Sequence, residues 1–434
     1  MVSVPRLPKD CTIKIYKCKE VVLSSIKDCS SLSSSVHLIS GISSSMFLAE
    51  GFVEGFSKVE KLDIVAYDEP TSFLKSGIHS LQEFTIEMLF SNKIGPNLFG
   101  SIEERLQRKE LPGRCQYLIL EGCRFPVKLE QALQSLCFLR GLTIRESKEI
   151  KFFPEACLPS QLRFIDIDQC DAVQSLPMAW MHSSNTSLEE LSITNCYSLR
   201  SIARVQLPSN LKRLEIKYCS NLLTLLDEEE VSGSCCRSTS CLEKLITEDC
   251  PSLTSLWSSS GNLPKALRYL SITKCSKLES IAKGFHDNTK LEKLYIVDCE
   301  KLETLPSGIN NLISLKKLTI AICPAMVSVP EGGFPTSLTV FAIGDTKMCK
   351  SLFEWGLHRL MSLELLLIGG CLDVISFPQE ETGMILPSSL TGLGIVDFPN
   401  LERLSFIAQN LTCLENLYLS DCSNLKYFPD DGLP

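Results

Sequence analysis

Cysteine and histidine are the side chains of widest chemical reach in this 434-residue chain, which holds twenty-one and five of them. Thiolates and imidazoles bind metal ions, and an activated thiolate is a nucleophile. A structural zinc site needs such residues in short paired sets, CxxC twice over for example. The close pairs here are Cys235 with Cys236 and Cys11 with Cys18. The histidines, His37, His79, His182, His286 and His358, have no carboxylate or cysteine at a fixed spacing. No GxxxxGK[ST] loop is present to cradle a nucleotide's phosphates. The residues therefore assign no catalytic, cofactor-binding or metal site, and no enzyme is expected.

What the cysteines share is a place in a repeat. LEELSITNCYSLRSI from Leu188, LKRLEIKYCSNLLTL from Leu211, LRYLSITKCSKLESI from Leu267 and LEKLYIVDCEKLETLP from Leu291 align on LxxLxIxxCxxLxSLP. LKKLTIAICPAMVSVP from Leu315, LELLLIGGCLDVISFP from Leu363 and LENLYLSDCSNLKYFP from Leu414 follow the same pattern. The cysteine position marks the register at Cys18, Gly41, Tyr67, Leu89, Cys123, Ser147, Cys170, Cys196, Cys219, Cys250, Cys275, Cys299, Cys323, Thr346, Cys371, Phe398 and Cys422. Repeats within 1–110 are degenerate; those of 111–434 are regular.

Such a period fixes the elements. Side chains of a strand alternate, so Leu270 and Ile272 point inward while Tyr269, Ser271 and Thr273 point out. One turn cannot bury its own leucines, but stacked turns can. The expected fold is an α/β leucine-rich-repeat solenoid, or horseshoe. It has a parallel sheet on the concave face and irregular or short helical convex returns. The chain is read as one array of about 17 repeats over 1–434. Helices are expected at 126–139 and 96–109, and a mobile loop at 227–240, DEEEVSGSCCRSTS. The cysteine column is expected to be buried, reduced and engaged in packing. MVSVP at the start recurs at Met326 to Pro330, and the closing PDDGLP resembles the lead-in LPSNL at 207–211. Both ends are thus expected to fall inside a repeat, as in an excerpt of a longer protein.

A net charge of −8 argues against nucleic acid as a partner, because phosphate binding needs a basic field. No apolar run is long enough to span a membrane. Recognition must then lie on the outward columns. The residue before the second leucine of successive repeats reads Glu190, Arg213, Lys244, Tyr269, Lys293 and Lys317, then Val340, Leu365, Gly392 and Asn416. Neighbouring outward positions change with it, giving Ala342 and Gly344, Leu367 and Gly369, Gly394 and Val396. Val340, Ala342, Leu365 and Leu367 would form an exposed apolar patch beside a basic stripe, with Tyr295 at the stripe's edge. Valine and leucine also simply suit a sheet surface, and lysines a solvated face. Contiguous apolar area with a polar rim is nevertheless the usual mark of a contact site.

With these motifs in hand, the chain resembles the leucine-rich-repeat region of plant coiled-coil-type nucleotide-binding disease-resistance proteins. EGGFPTSLTVFAI, SLFEWGLHRLMSLELLLIGGCLDVISFP, LPSSLTGLGIVDFPNLERLS and DCSNLKYFPDDGLP carry the resemblance most specifically. It implies a cytoplasmic domain that senses pathogen effectors, directly or through a guarded host protein. It also implies an intramolecular contact that restrains a nucleotide-binding module. ADP or ATP would sit on that module, which these residues do not contain. The alternative is the substrate-recognition repeat of an F-box ubiquitin-ligase adaptor, which shares LxxLxLxxC but continues differently after the cysteine. Receptor-kinase ectodomains would carry asparagine at the mark and a GxIP corner, and these are missing.

Overall fold

The computed structural model describes residues 13–16, 35–40, 61–66, 83–88, 116–121, 136–148, 150, 151, 153, 158–182, 187–203, 207–226, 241–257, 263–285, 290–344, 346–379, 383–405 and 411–428. The four segments within 13–88, and residues 121, 182 and 346, are described by backbone alone. The expected helix at 96–109, the loop at 227–240, most of 126–139 and both chain ends lie outside this set. Two compact units divide the chain, Met1–Leu199 with Gln206–Leu211, and Arg200–Val205 with Lys212–Pro434.

Unit 1 is a ladder of parallel strands: β1 (Ile13–Tyr16), β2 (Ser35–Ser40), β3 (Lys61–Ala66), β4 (Glu83–Met88), β5 (Tyr117–Glu121), β6 (Gly141–Arg145), β7 (Phe164–Asp168) and β8 (Glu190–Thr194). Ile13, Val36, Leu62, Phe84 and Leu118 are successive ladder partners. Each stands five residues before its register mark, so the degenerate repeats keep the spacing of the regular ones. A one-turn helix, α1 (Met178–His182), follows directly on Pro177. That proline, which lacks an N–H, thus opens a helix rather than an irregular return.

Unit 2 repeats the plan with β9 (Arg213–Lys217), β10 (Lys244–Glu248), β11 (Tyr269–Thr273), β12 (Lys293–Val297), β13 (Lys317–Ala321), β14 (Val340–Gly344), β15 (Leu365–Gly369), β16 (Gly392–Val396) and β17 (Asn416–Ser420). Each pairs in parallel with the next. Inward positions such as Leu270, Ile272, Leu294 and Ile296 are completely buried, and their outward neighbours are partly exposed. Thr247 interrupts the inward column, where its hydroxyl accepts the Cys275 thiol at 4.0 Å.

The residue after most strands adopts positive φ: Glu146, Gln169 and Asn195 in unit 1, and Tyr218, Asp249, Lys274, Asp298, Ile322, Gly370, Asp397 and Asp421 in unit 2. This left-handed residue turns the chain off the sheet, and its N–H stays on the ladder. Asp249 donates to Thr273 O at 2.9 Å, and Asp298 to Ala321 O at 2.9 Å. The cysteine comes next. Its S–H points back to the carbonyl two residues earlier, at 3.4 Å for Cys196 on Thr194 O and 3.3 Å for Cys323 on Ala321 O. Ser147 makes the same contact at 3.1 Å, so a small buried donor other than cysteine also serves at the mark. The leucine three residues on closes a turn onto the cysteine carbonyl, as Leu253 does onto Cys250 O at 3.1 Å.

Burial and like neighbours hold the thiols neutral. The Cys170 thiol and burial raise Cys196 well above the ordinary thiol range, and Cys219 and burial do the same for Cys250. Burial pushes Cys275 up to about 12. One expectation is overturned: Cys371 is joined to Cys349 as a disulfide instead of standing as a reduced thiol. The cause is a helix that the repeat pattern hides, α2 (Thr346–Trp355), which brings the two Cα atoms to 6.4 Å. Its buried face is Met348, Cys349, Leu352 and Phe353, a helical spacing present in the sequence alongside the repeat.

The returns are also more regular than expected. Ser201–Ala203 pairs in parallel with Thr224–Leu226, and isolated bridges carry that ladder to Ser255 and Ser280. Ser376–Phe377 pairs likewise with Arg403–Leu404. The LPxxL lead-ins are turns in which leucine donates to the proline carbonyl, at 3.0 Å for Leu211 on Pro208 O and 3.1 Å for Leu267 on Pro264 O.

Two expected outcomes concern the thiols. In the native protein an alkylating agent should modify exposed Cys137, Cys241 and Cys413 and spare buried Cys250, Cys275 and Cys299, as peptide mass spectrometry would show. Because the folded Cys275 thiol is raised from 9.0 to about 12, its stabilising contribution is complete below pH 9 and is lost as pH climbs toward 12. Urea titrations above pH 9 should show that fall. A third concerns the strand exit. Ile322 is a β-branched residue at φ 54°, half-exposed, in a conformation that asparagine tolerates. Ile322→Asn should raise unfolding stability by about 1 kcal/mol; a fall in melting temperature would contradict this.

Candidate partner-binding face

Strand alternation in unit 2 sends three columns of side chains to the open face of the ladder. In register, the first column reads Arg213, Lys244, Tyr269, Lys293, Lys317, Val340, Leu365, Gly392 and Asn416. The second reads Glu215, Ile246, Ser271, Tyr295, Thr319, Ala342, Leu367, Gly394 and Tyr418. Every residue predicted for the contact surface lies in these two columns. Glu215, Ile246 and Tyr418 share the second column but are absent from the predicted set. The last two follow from the same alternation, whereas Glu215 matters through its partners.

The first stretch is a polar network. Lys244 Nζ lies 2.9 Å from Glu215 Oε1 and 5.4 Å from the centre of the Tyr269 ring. Lys217 reaches Glu215 at 3.9 Å and Glu248 at 3.7 Å. The Tyr269 and Tyr295 rings pack tilted at 5.5 Å. Partial burial, and then Tyr269, push the Tyr295 phenol above its ordinary range. The expected basic stripe is therefore narrower than its residue types imply, because Glu215 neutralises Lys244 from the neighbouring strand.

The second stretch is apolar. Val340 and Ala342 are half-buried, and Leu365 and Leu367 remain 46% and 42% exposed. The leucines do not stand straight out. They lean over the next strand, where a Cβ on Gly392 would meet Leu365 Cδ2 at 2.5 Å and one on Gly394 would collide with Leu367 Cδ1. Gly392 and Gly394, expected to be outward and open, are buried under these side chains. Unit 1 uses the same device, with Tyr117 lying across Gly141 at 2.6 Å from a built Cβ. Glycine thus lets a large neighbour cover bare backbone, and Tyr418, 61% exposed, closes the far side of the patch.

Among the described residues no group of three or more His, Cys, Asp and Glu is placed to hold a metal ion. Nor is any helix among them long and apolar enough to cross a membrane. What the face offers chemically is contact: aromatic rings, aliphatic side chains, ammonium groups and ordered carboxylates on a rigid ladder.

Residues 142–300 match the family model described as plant disease resistance protein RPS2-like, leucine-rich repeats. The Arabidopsis thaliana protein At3g14460, named as a disease resistance protein, is 33% identical over 307 residues. That match covers 64% of this chain and 21% of the Arabidopsis protein, so the chain spans about a fifth of its relative. Solved structures that align include the leucine-rich-repeat domain of the type III effector XopL, at TM-score 0.43 and 19% identity, over 58% of this chain and 85% of that one. A leucine-rich-repeat protein of Leptospira interrogans aligns at TM-score 0.30 and 15% identity, over 82% and 94%.

The glycine cover is open to test. Gly392→Ala and Gly394→Ala meet only the flexible ends of leucines, so each should fold with a loss of about 1 kcal/mol, the low end of overpacking costs. Both should turn a leucine outward and increase binding of an apolar dye. Unchanged dye binding would show that the leucines do not shield the glycines.

Proposed function

We propose that this chain, which is similar to the leucine-rich-repeat regions of plant disease-resistance proteins, is a non-catalytic recognition and autoregulatory surface of an intracellular immune receptor. The open face of unit 2 is its contact region. Its partner is a pathogen effector, a guarded host protein, or the nucleotide-binding domain of the same polypeptide. One observation carries the reading. Val340, Ala342, Leu365 and Leu367 lie on neighbouring positions of β14 and β15, exposing aliphatic area on a sheet whose preceding strands are lined by charged and hydroxyl groups. The two exposed leucines cover Gly392 and Gly394 and leave nearly half of their own surface open. Contiguous apolar area of this kind, rimmed by polar groups, marks contact sites.

The resistance-protein family supports two consequences of that contact, effector sensing and restraint of the nucleotide-binding module. Both reduce to a difference in binding free energy between resting and active states. Among the described residues of this face, nothing organises a nucleophile with a base.

The double variant Leu365→Ser, Leu367→Ser, placed in the full-length parent and expressed in leaf tissue, separates the outcomes. Loss of pathogen-triggered cell death assigns the patch to sensing, and cell death without pathogen assigns it to restraint. A protein that accumulates normally and responds like the wild type would overturn the proposal.

A further inference from the structure

Charge along the open face of unit 2 is arranged in a direction, and the direction specifies a ligand. On one side of the leucine pair stand Lys293 and Lys317, first-column partners on adjacent strands, with Lys316 beside them. Neither Lys293 nor Lys317 has an ion-pair partner among the described residues, unlike Lys244 and Lys217. Glu292, which precedes Lys293 in the chain, is committed to Arg268 at 2.6 Å. Tyr295 and Thr319 add hydroxyl groups in the second column. Glu364 directly precedes Leu365 on the leucine strand itself, and beyond that strand Glu415 precedes β17, both exposed.

We propose that the occupant of this face is an extended segment of a partner protein carrying an acidic side chain three residues away from an aliphatic one. This occupant presupposes that the face is a contact region, as proposed above, and adds the chemistry of what is contacted. Adjacent parallel strands lie about 4.8 Å apart, so Lys317 and Leu365, two strands apart, are separated by about 10 Å. A polyproline-II segment running across the strands repeats its side-chain direction every three residues, at about 3.1 Å per residue. Its residues i and i+3 therefore fall on one side, about 9 Å apart, over the lysine pair and the leucine pair together. The aliphatic residue meets Leu365 and Leu367; the carboxylate meets Lys293 and Lys317, with hydroxyl donors from Tyr295 and Thr319 in reach. Glu364 beside the leucines and Glu415 beyond them repel an acidic residue there, so the carboxylate belongs over the lysines whichever way the segment runs. Pairing of this kind supplies specificity and register more than raw affinity.

Panning a random octapeptide phage library on the chain tests this while leaving the ligand's sequence open. Enrichment of Asp or Glu three positions before or after Leu, Ile or Val is expected. The recovered peptides should bind measurably more weakly when salt is raised roughly tenfold from about 0.05 M, because the charges are then screened. Lys293→Glu with Lys317→Glu should switch the enriched charge from acidic to basic while the aliphatic residue stays. If Leu365→Ser with Leu367→Ser abolishes binding but charge reversal leaves the enriched sequences unchanged, the acidic assignment falls and the apolar contact stands. If neither variant alters recovery, or no sequence is enriched, both fall. Circular dichroism of each variant, all substituted at partly exposed positions, verifies that the ladder is intact.

Discussion

A left-handed residue at the strand exit is the constraint on which each unit is built. It turns the backbone off the sheet within a single residue while its N–H continues the ladder to the next repeat. Asparagine and aspartate accept this conformation at low cost, which accounts for Asn195, Asp249, Asp298, Asp397 and Asp421. Immediately afterward the chain enters the core, where at most described exits a small side chain donates to the carbonyl two residues back. Cysteine and Ser147 both do this. Phe398 is the exception. It fills the position by edge contact with Phe377 at 6.1 Å, part of an aromatic run that includes Phe353.

Where the exits are alike the strands start in register, and outward side chains fall into columns at a fixed pitch. That regularity makes the open face a usable surface. Neighbours in a column come from residues about 24 apart in sequence, yet they sit one strand apart in space. The Glu215–Lys244 pair, the Tyr269–Tyr295 pair and the leucines over Gly392 and Gly394 are all contacts of this sort. A change at one repeat is therefore felt mainly by the next, as expected for a stack of nearest-neighbour units.

Thiol chemistry plays little part in such a design. Seven described cysteines, from Cys170 to Cys323, are fully buried at the strand exits, with their S–H groups occupied. Cys371 departs from them because α2 inserts a second cysteine beside it. Buried neutral thiols are inert, whatever their number in the sequence.

Alternation, period and register were legible in the sequence, because burying leucine on one face of a two-residue period leaves little freedom in which side chains point out. The placing of Arg213, Lys244, Tyr269, Lys293, Tyr295, Lys317, Val340, Ala342, Leu365 and Leu367 on one face followed from that alone. The state of those residues did not. Whether Lys244 is a free charge depends on Glu215 of the strand before it, and whether Gly392 is open depends on how Leu365 leans. The second ladder along the returns and the Cys349–Cys371 bond likewise arise between segments that share no local pattern. Periodicity is a property of one strand and can be read from one strand's residues. Charge pairing, backbone cover and disulfide partnership are set by distances between repeats, and only the folded chain supplies those.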